Sequence, residues 1–160
     1  MKLTQEQKDV IVGSLLGDGN LQTETQGRTW RYRALQSAEQ LPYLEYKYNC
    51  LIDLCATGII YDQSKPDPRT GKIYKRYYFN TKVLACLKHY GNLFYTYDKE
   101  SNKFVKDVPK TVQQLLSPRA LAIMYQDDGA LKWKGKSNAM RICTESFSEE
   151  GVRRLKSAIK

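Results

Sequence analysis

Two aspartates have the residue type and setting from which chemistry can be read. Asp18 follows Ile11-Val12-Gly13-Ser14-Leu15-Leu16-Gly17, Asp128 follows Leu121-Ala122-Ile123-Met124-Tyr125-Gln126-Asp127, and a glycine comes directly after each. They stand 110 residues apart, about the length of a small domain. Two apolar helical segments that each end on Asp-Gly predict two helices packed side by side, with both carboxylates over one site. Magnesium suits such a pair, because it takes few protein carboxylates and fills its octahedron with water and phosphate oxygens. An ion held there activates a water and neutralises the charge developing on a phosphate during phosphodiester hydrolysis. A neighbouring lysine adds to that stabilisation. One Asp-Gly alone would be an ordinary turn; two of them, each led by an apolar helix, favour the paired site.

The elements that must position this pair can be read in chain order. Thr4-Gln5-Glu6-Gln7 fits a capping box and predicts a helix running to about Gly17. Gly13 and Gly17 lie on one face of it, where a missing side chain lets another backbone approach. Residues 28–37 alternate as a strand, with Arg31 and Arg33 on one face and Trp30, Tyr32 and Ala34 on the other. A second helix is expected from Pro42 to Cys55, then a hairpin of 59–62 and 73–79 around the turn-rich 66–71, then a helix over about 82–94. Residues 98–108 are polar and basic and read as a linker or extended segment. Ser117-Pro118 looks like a helix cap with proline at the first position. After that helix come strands at 130–134 and 140–144, joined by a turn at 135–138, and a last helix from Ser148.

The second half thus repeats the first in element type: motif helix, two strands, helix. Three segments are expected: residues 1–97 as a first αββαββα repeat, 98–117 as a linker, and 118–160 as an incomplete second repeat. Only 32 residues follow Asp128. A second polypeptide, or a self-dimer, is expected to complete the repeat.

Composition limits the partners. The net charge of +9 favours a polyanion, most often nucleic acid, and a basic amphipathic helix of the membrane-surface type is absent. No apolar run nears 18 residues and no secretory leader stands at the N-terminus. The expectation is a soluble chain inside the cell, in cytoplasm, nucleoid or organelle matrix, neither secreted nor in a membrane. Cys50, Cys55, Cys86 and Cys143 form no Cys-x-x-Cys pair, which argues against zinc and for reduced, partly buried thiols. His89 is the one histidine and sits in an apolar helical stretch, so a mechanism built on a Ser-His or Cys-His pair is set aside.

The segments 11–19 and 121–129 resemble the two copies of the motif that names the LAGLIDADG homing endonucleases. The similarity extends to Pro109, to Leu115-Leu116-Ser117-Pro118-Arg119-Ala120, to Thr144-Glu145-Ser146-Phe147-Ser148-Glu149-Glu150 and to Gln36-Ser37-Ala38-Glu39. The resemblance implies an α+β homing-endonuclease fold of αββαββα units, with two packed motif helices and antiparallel saddle sheets over DNA. It implies cleavage of both strands of a long duplex target, with Mg²⁺ as cofactor and Mn²⁺ or Ca²⁺ able to take its place, leaving 3′ overhangs.

On the positions that match, the metal carboxylates fall on Asp18 and Asp128, with the carbonyls of Gly17 and Asp127 helping to hold the ion. The Asp127 side chain reads as a helix-end residue rather than a ligand. Lys106, three residues before Pro109, matches the family's basic position in the active site. Gln36 and Glu145 fall where polar, solvent-ordering residues stand, although Glu145 departs from the usual amide. A two-stranded ribbon fits the major groove, and Arg reads guanine through two hydrogen bonds. The candidate DNA-binding residues are therefore Arg31, Arg33, Lys75, Arg76, Lys132, Lys134 and Arg141. Arg153 and Arg154 read as solvated surface. The rival is a non-catalytic nucleic-acid binder such as an intron RNA maturase, for which two retained carboxylates facing phosphate would serve no purpose.

Overall fold

The computed structural model describes residues 1–63, 65–133 and 135–160. The first half runs α1 (Gln5–Leu16), β1 (Asn20–Gln22), β2 (Arg31–Ser37), α2 (Leu41–Leu51), β3 (Ile60–Asp62), β4 (Arg76–Asn80) and α3 (Leu87–Phe94). A hairpin of β5 (Tyr95–Asp98) and β6 (Lys103–Lys106) and a short α4 (Val112–Leu115) lead to α5 (Pro118–Asp128). The chain then adds β7 (Gly129–Leu131), β8 (Met140–Ile142) and α6 (Glu149–Ile159). The architecture is α+β, and the first unit has the αββαββα order expected of it.

Helix α1 begins where its capping box says. The Gln7 backbone N–H donates to Thr4 Oγ1 at 3.2 Å, and the Thr4 N–H donates to Gln7 Oε1 at 3.0 Å. From there α1 is buried almost all round, with Val10, Ile11, Leu15 and Leu16 fully enclosed. A helix without a solvent face lies at the centre of its fold. Neighbouring elements therefore arrange themselves about α1.

The main sheet has the order β1-β2-β4-β3 and is antiparallel throughout. Alternation along β2 buries Tyr32 and Ala34 on the helix side, beside Leu21 and Phe79 of the neighbouring strands. Arg31 and Arg33 take the opposite side, as period two requires. Register places Arg33 between Asn20 and Asn80 and sets Ser37 beside Arg76. The open face is therefore polar and basic, and the closed face is the core.

Trp30, at the start of β2, fastens the next hairpin. Its ring packs 5.1 Å from both Tyr95 and Phe104, and its indole N–H donates to the Gly27 carbonyl. Such aromatic pairs add about 0.5–1.5 kcal/mol beyond the area they bury. Gly91 of α3 lies directly against that ring: a Cβ there would collide with the indole nitrogen. The contacts of Trp30 thus fix where β6, and hence Lys106, must lie.

Several elements differ from expectation. The stretch 98–117 is more than a connection: its extended part is strand β6, where Phe104 and Lys106 face inward and Lys103 and Val105 outward, with Phe104 packed against Trp30, and it also holds α4. Strand β4 starts at Arg76, so Lys75 sits in the preceding loop, exposed, with its carbonyl accepting from the Ala38 N–H. Strands β7 and β8 are shorter than 130–134 and 140–144, and Lys132 lies just past the end of β7. Lys134 lies outside the described residues. Arg154 is no solvated residue: its guanidinium donates to the Val108 carbonyl at 2.7 Å and docks α6 onto the core, whereas Arg153 stays exposed beside Glu149. Among the described residues no helix is long and apolar enough to cross a membrane.

Candidate functional site

The two motif helices, α1 and α5, pack in parallel. At their N-terminal ends Ser117, the cap of α5, donates to Asp9 at 2.7 Å. Midway, Gly13 meets Ala120 and Ile123; further on, Gly17 meets Asp127. Pairs advancing in the same direction along both helices bring both C-terminal ends, and so Asp18 and Asp128, to one place. A Cβ on Gly13 would lie 2.5 Å from the Ala120 carbonyl oxygen, and one on Gly17 would lie 2.6 Å from Asp127 Cβ. The backbones approach so closely only because both residues are glycine.

Polar side chains from several elements meet around this end. Gln36 shares the helix-facing side of β2 with Tyr32 and Ala34, and its position at the strand end lets its amide donate to both Asp18 oxygens, at 3.0 and 3.3 Å. Lys106, at the end of β6, donates to the carbonyls of Gly17 at 3.0 Å and Gly19 at 2.7 Å. Burial lowers the Lys106 pKa below the usual lysine value, against the opposing pull of Asp128, Asp18 and Asp127. The Asp128 pKa is raised, first by burial and then by the like charge of Asp18. Glu145 is exposed, and its charge adds to that rise. Asp18, Lys106 and Glu145 therefore lie within electrostatic reach of Asp128, and Gln36 is hydrogen-bonded to Asp18.

Sequence reasoning does not single out Lys47, which is central here. It is fully buried, donates to Asp127 Oδ1 at 2.7 Å, and stands 3.9 Å from Asp18 Oδ1. The Asp127 side chain is likewise enclosed, turned inward rather than toward solvent. Burial raises its pKa, with Lys47 opposing and Asp18 adding to the shift. A signal for Lys47 exists in the sequence: Leu44, Lys47 and Leu51 form the buried stripe of α2. A lysine on an apolar helical face needs a buried counter-charge.

The residues expected to bind DNA fall into groups. Arg31 and Arg33 share the open face of the main sheet, Arg31 bonding Gln22 at 3.2 Å and pairing with Glu24, and Arg33 lying 3.9 Å over the Tyr78 ring. Arg76 is on the same face, paired with Asp62 at 2.9 Å. Arg141 is exposed on β8, and Lys132 lies over the Trp133 ring. Lys75 stands apart, in the loop before β4.

Comparison with known proteins gives this geometry its context. A family model described as the LAGLIDADG DNA endonuclease family matches residues 8–160. The chain is 56% identical over its whole length to DNA endonuclease I-ChuI of Chlamydomonas applanata, spanning 74% of that protein. It is 29% identical to cytochrome b mRNA maturase bI2 of Saccharomyces cerevisiae, over 91% of this chain and 34% of that one. Among solved structures, the homing endonuclease I-WcaI bound to its DNA recognition sequence matches with a TM-score of 0.83 at 16% identity. That match covers 99% of this chain and 68% of that one, and establishes the fold. With two motif helices meeting at their aspartates, and with a family match over nearly its entire length, the chain belongs to the LAGLIDADG DNA endonuclease family.

Proposed function

We propose that the chain is a site-specific double-strand DNA endonuclease of homing type, hydrolysing phosphodiesters with Mg²⁺ and leaving 3′ overhangs. The convergence of Asp18 and Asp128 at the ends of two parallel helices, with Gln36 and Lys106 on the same spot, is the observation that supports it most.

The donor set fits the ion. Asp18 and Asp128 repel one another, and a divalent cation between them relieves that repulsion. Two facing carboxylates suit a cation that keeps water and phosphate oxygens rather than one caged by protein. The carbonyls of Gly17 and Asp127 are the further oxygens that would hold it, and Mn²⁺ or Ca²⁺ could occupy the same oxygens. When bound, Mg²⁺ supplies an activated water and neutralises charge at the scissile phosphate.

The protein's own residues do the rest. Gln36 orients the Asp18 carboxylate. Lys106 braces the Gly17 and Gly19 carbonyls and sets a positive charge beside the phosphate. Glu145, exposed at the rim, orders solvent. Arg31, Arg33, Arg76, Lys75, Lys132, Lys134 and Arg141 bind the duplex, some reading bases and others only phosphate. Acting on DNA places the protein inside the cell, in cytoplasm, nucleoid or organelle matrix.

Residues 1–97 serve as a first repeat, 98–117 as the connection and 118–160 as part of a second repeat. Leu121, Tyr125, Met140, Ile142 and Ile159 line an apolar groove between α5, β8 and α6, and Met140 is 68% exposed. In the first unit β4 pairs with β2 at the corresponding sheet edge. A second polypeptide, or a second copy, covering this groove would complete the saddle.

The test is cleavage of a cognate duplex selected from a randomised library, with Mg²⁺ and with EDTA. Cutting of both strands in Mg²⁺ alone is expected; binding without nicking, together with preference for intron RNA, would instead favour the maturase reading that the yeast relative suggests. Cleavage of both strands by an 18.5 kDa monomer unaided would overturn the need for a completing chain.

The raised Asp128 pKa carries a pH prediction. A proton held more tightly than usual competes with the cation, and the competition grows as pH falls toward that raised value. The Mg²⁺ concentration giving half-maximal cleavage is expected to rise as pH is lowered from neutrality toward the ordinary carboxylate range, starting above the pH at which an unshifted aspartate would respond. A constant midpoint in a metal titration across that range would contradict it.

A further inference from the structure

We propose that Lys47 is a positioning residue for cleavage, tethered by Asp127 at a set distance from Asp18; this rests on Asp18 being a site carboxylate. The ammonium touches one carboxylate and approaches another: 2.7 Å from Asp127 Oδ1 and 3.9 Å from Asp18 Oδ1. It comes from α2 of the first unit, whereas Asp127 belongs to the motif helix of the second.

The surroundings hold it rigidly. Its ammonium lies 4.4 Å from the centre of the Tyr43 ring, and the Tyr43 hydroxyl donates to the Ile123 carbonyl at 3.2 Å. Leu44 and Leu51 flank it on the buried stripe of α2. Asp127 is itself wedged against Gly17, where no side chain could fit. The charge is therefore fixed in place by both halves of the molecule.

Stability alone does not explain the pair. A buried ion pair is on balance no better than an apolar pair of the same volume, because desolvation offsets the attraction. This pair is also incompletely satisfied, since Asp127 Oδ2 is buried without a hydrogen-bond partner. Its separations make sense in terms of Asp18. At contact distance Lys47 would occupy the oxygen that a divalent cation needs. At 3.9 Å it draws the carboxylate toward a constant orientation, while Gln36 holds the same group from β2. Asp127 sets that distance.

Three proteins test this: wild type, the double variant Lys47→Met with Asp127→Leu, and the single variant Asp127→Asn. Leucine has the branched shape of aspartate, so the double variant replaces an ion pair with an apolar one. It is expected to unfold no earlier than wild type and to bind target DNA in Ca²⁺ with unchanged Kd. Its single-turnover cleavage should nevertheless be slower by about 10- to 100-fold, the usual cost of losing a group that orients a metal ligand. A folded double variant cleaving at the wild-type rate would overturn the proposal, leaving the pair as packing only.

Asp127→Asn keeps the shape and frees Lys47 to close on Asp18, which should weaken Mn²⁺ binding several-fold in a titration followed by electron paramagnetic resonance without DNA. Unchanged Mn²⁺ affinity would overturn the proposal whether or not the double variant folds. If wild type cleaves no duplex, the endonuclease reading fails, while the Mn²⁺ titration still reports on Lys47.

Discussion

Replacing Asp18 with asparagine is expected to reduce DNA cleavage by on the order of a thousandfold, the scale of losing one preorganised charge-stabilising group. Asparagine has the volume of aspartate and keeps one oxygen for the Gln36 amide, which now donates to both Asp18 oxygens at 3.0 and 3.3 Å. The fold around it should therefore persist. What is lost is a charged oxygen for a cation. DNA affinity should hold or increase slightly, since a negative charge leaves a surface that meets phosphate. Single-turnover cleavage and filter binding on one preparation separate the two quantities. Loss of binding with cleavage retained would remove Asp18 from the site.

The second large effect is steric and lies a turn away from the chemistry. Gly13→Ala adds one methyl group, which would meet the Ala120 carbonyl oxygen at 2.5 Å and the Ile123 side chain at 2.8 Å. The Ala120 oxygen is backbone and cannot turn aside, so α1 and α5 must separate. Overpacking of this kind costs about 1–3 kcal/mol, against which alanine returns up to about 1 kcal/mol of helix propensity. A net loss near 1–2 kcal/mol would lower the unfolding temperature by only a few degrees in a chain of this size.

The effect on cleavage should be far larger. Asp18 and Asp128 ride on the ends of those helices, and a misplacement of about 1 Å can cost a hundredfold in rate. Gly58→Ala is the control, since nothing lies within 4 Å of a Cβ there and no change in rate is expected. A Gly13→Ala protein with wild-type cleavage would show that the helix approach does not set the carboxylate geometry.

Much of this arrangement is legible in the residues because it depends on local signals. The capping box at Thr4, the cap at Ser117, the alternation of β2 and the order of elements in the first unit each come from chemistry within a few positions. What escapes is what depends on contacts distant in the chain. Strand β6 reads only as a linker or extended segment because Phe104 alone is an apolar residue on its inward side, and the partner that buries it, Trp30, stands 74 residues earlier. Arg154 looks solvated until Val108 is found beneath it. The pairing of Lys47 with Asp127 spans 80 residues, and neither residue betrays the other locally.

By itself, then, the sequence determined that two helices end on aspartates, that glycines open the face between them, and that a basic sheet accompanies them. Those follow from residue type and period, which act along the chain. The tertiary structure alone decided how closely the helices approach, that Gln36 grips the Asp18 carboxylate while Lys106 grips the Gly17 and Gly19 carbonyls, and that a buried lysine stands beneath Asp18. The reason is physical: packing brings together groups from α1, β2, α2, β6 and α5, and the burial and distances that govern their charges exist only once those elements are assembled.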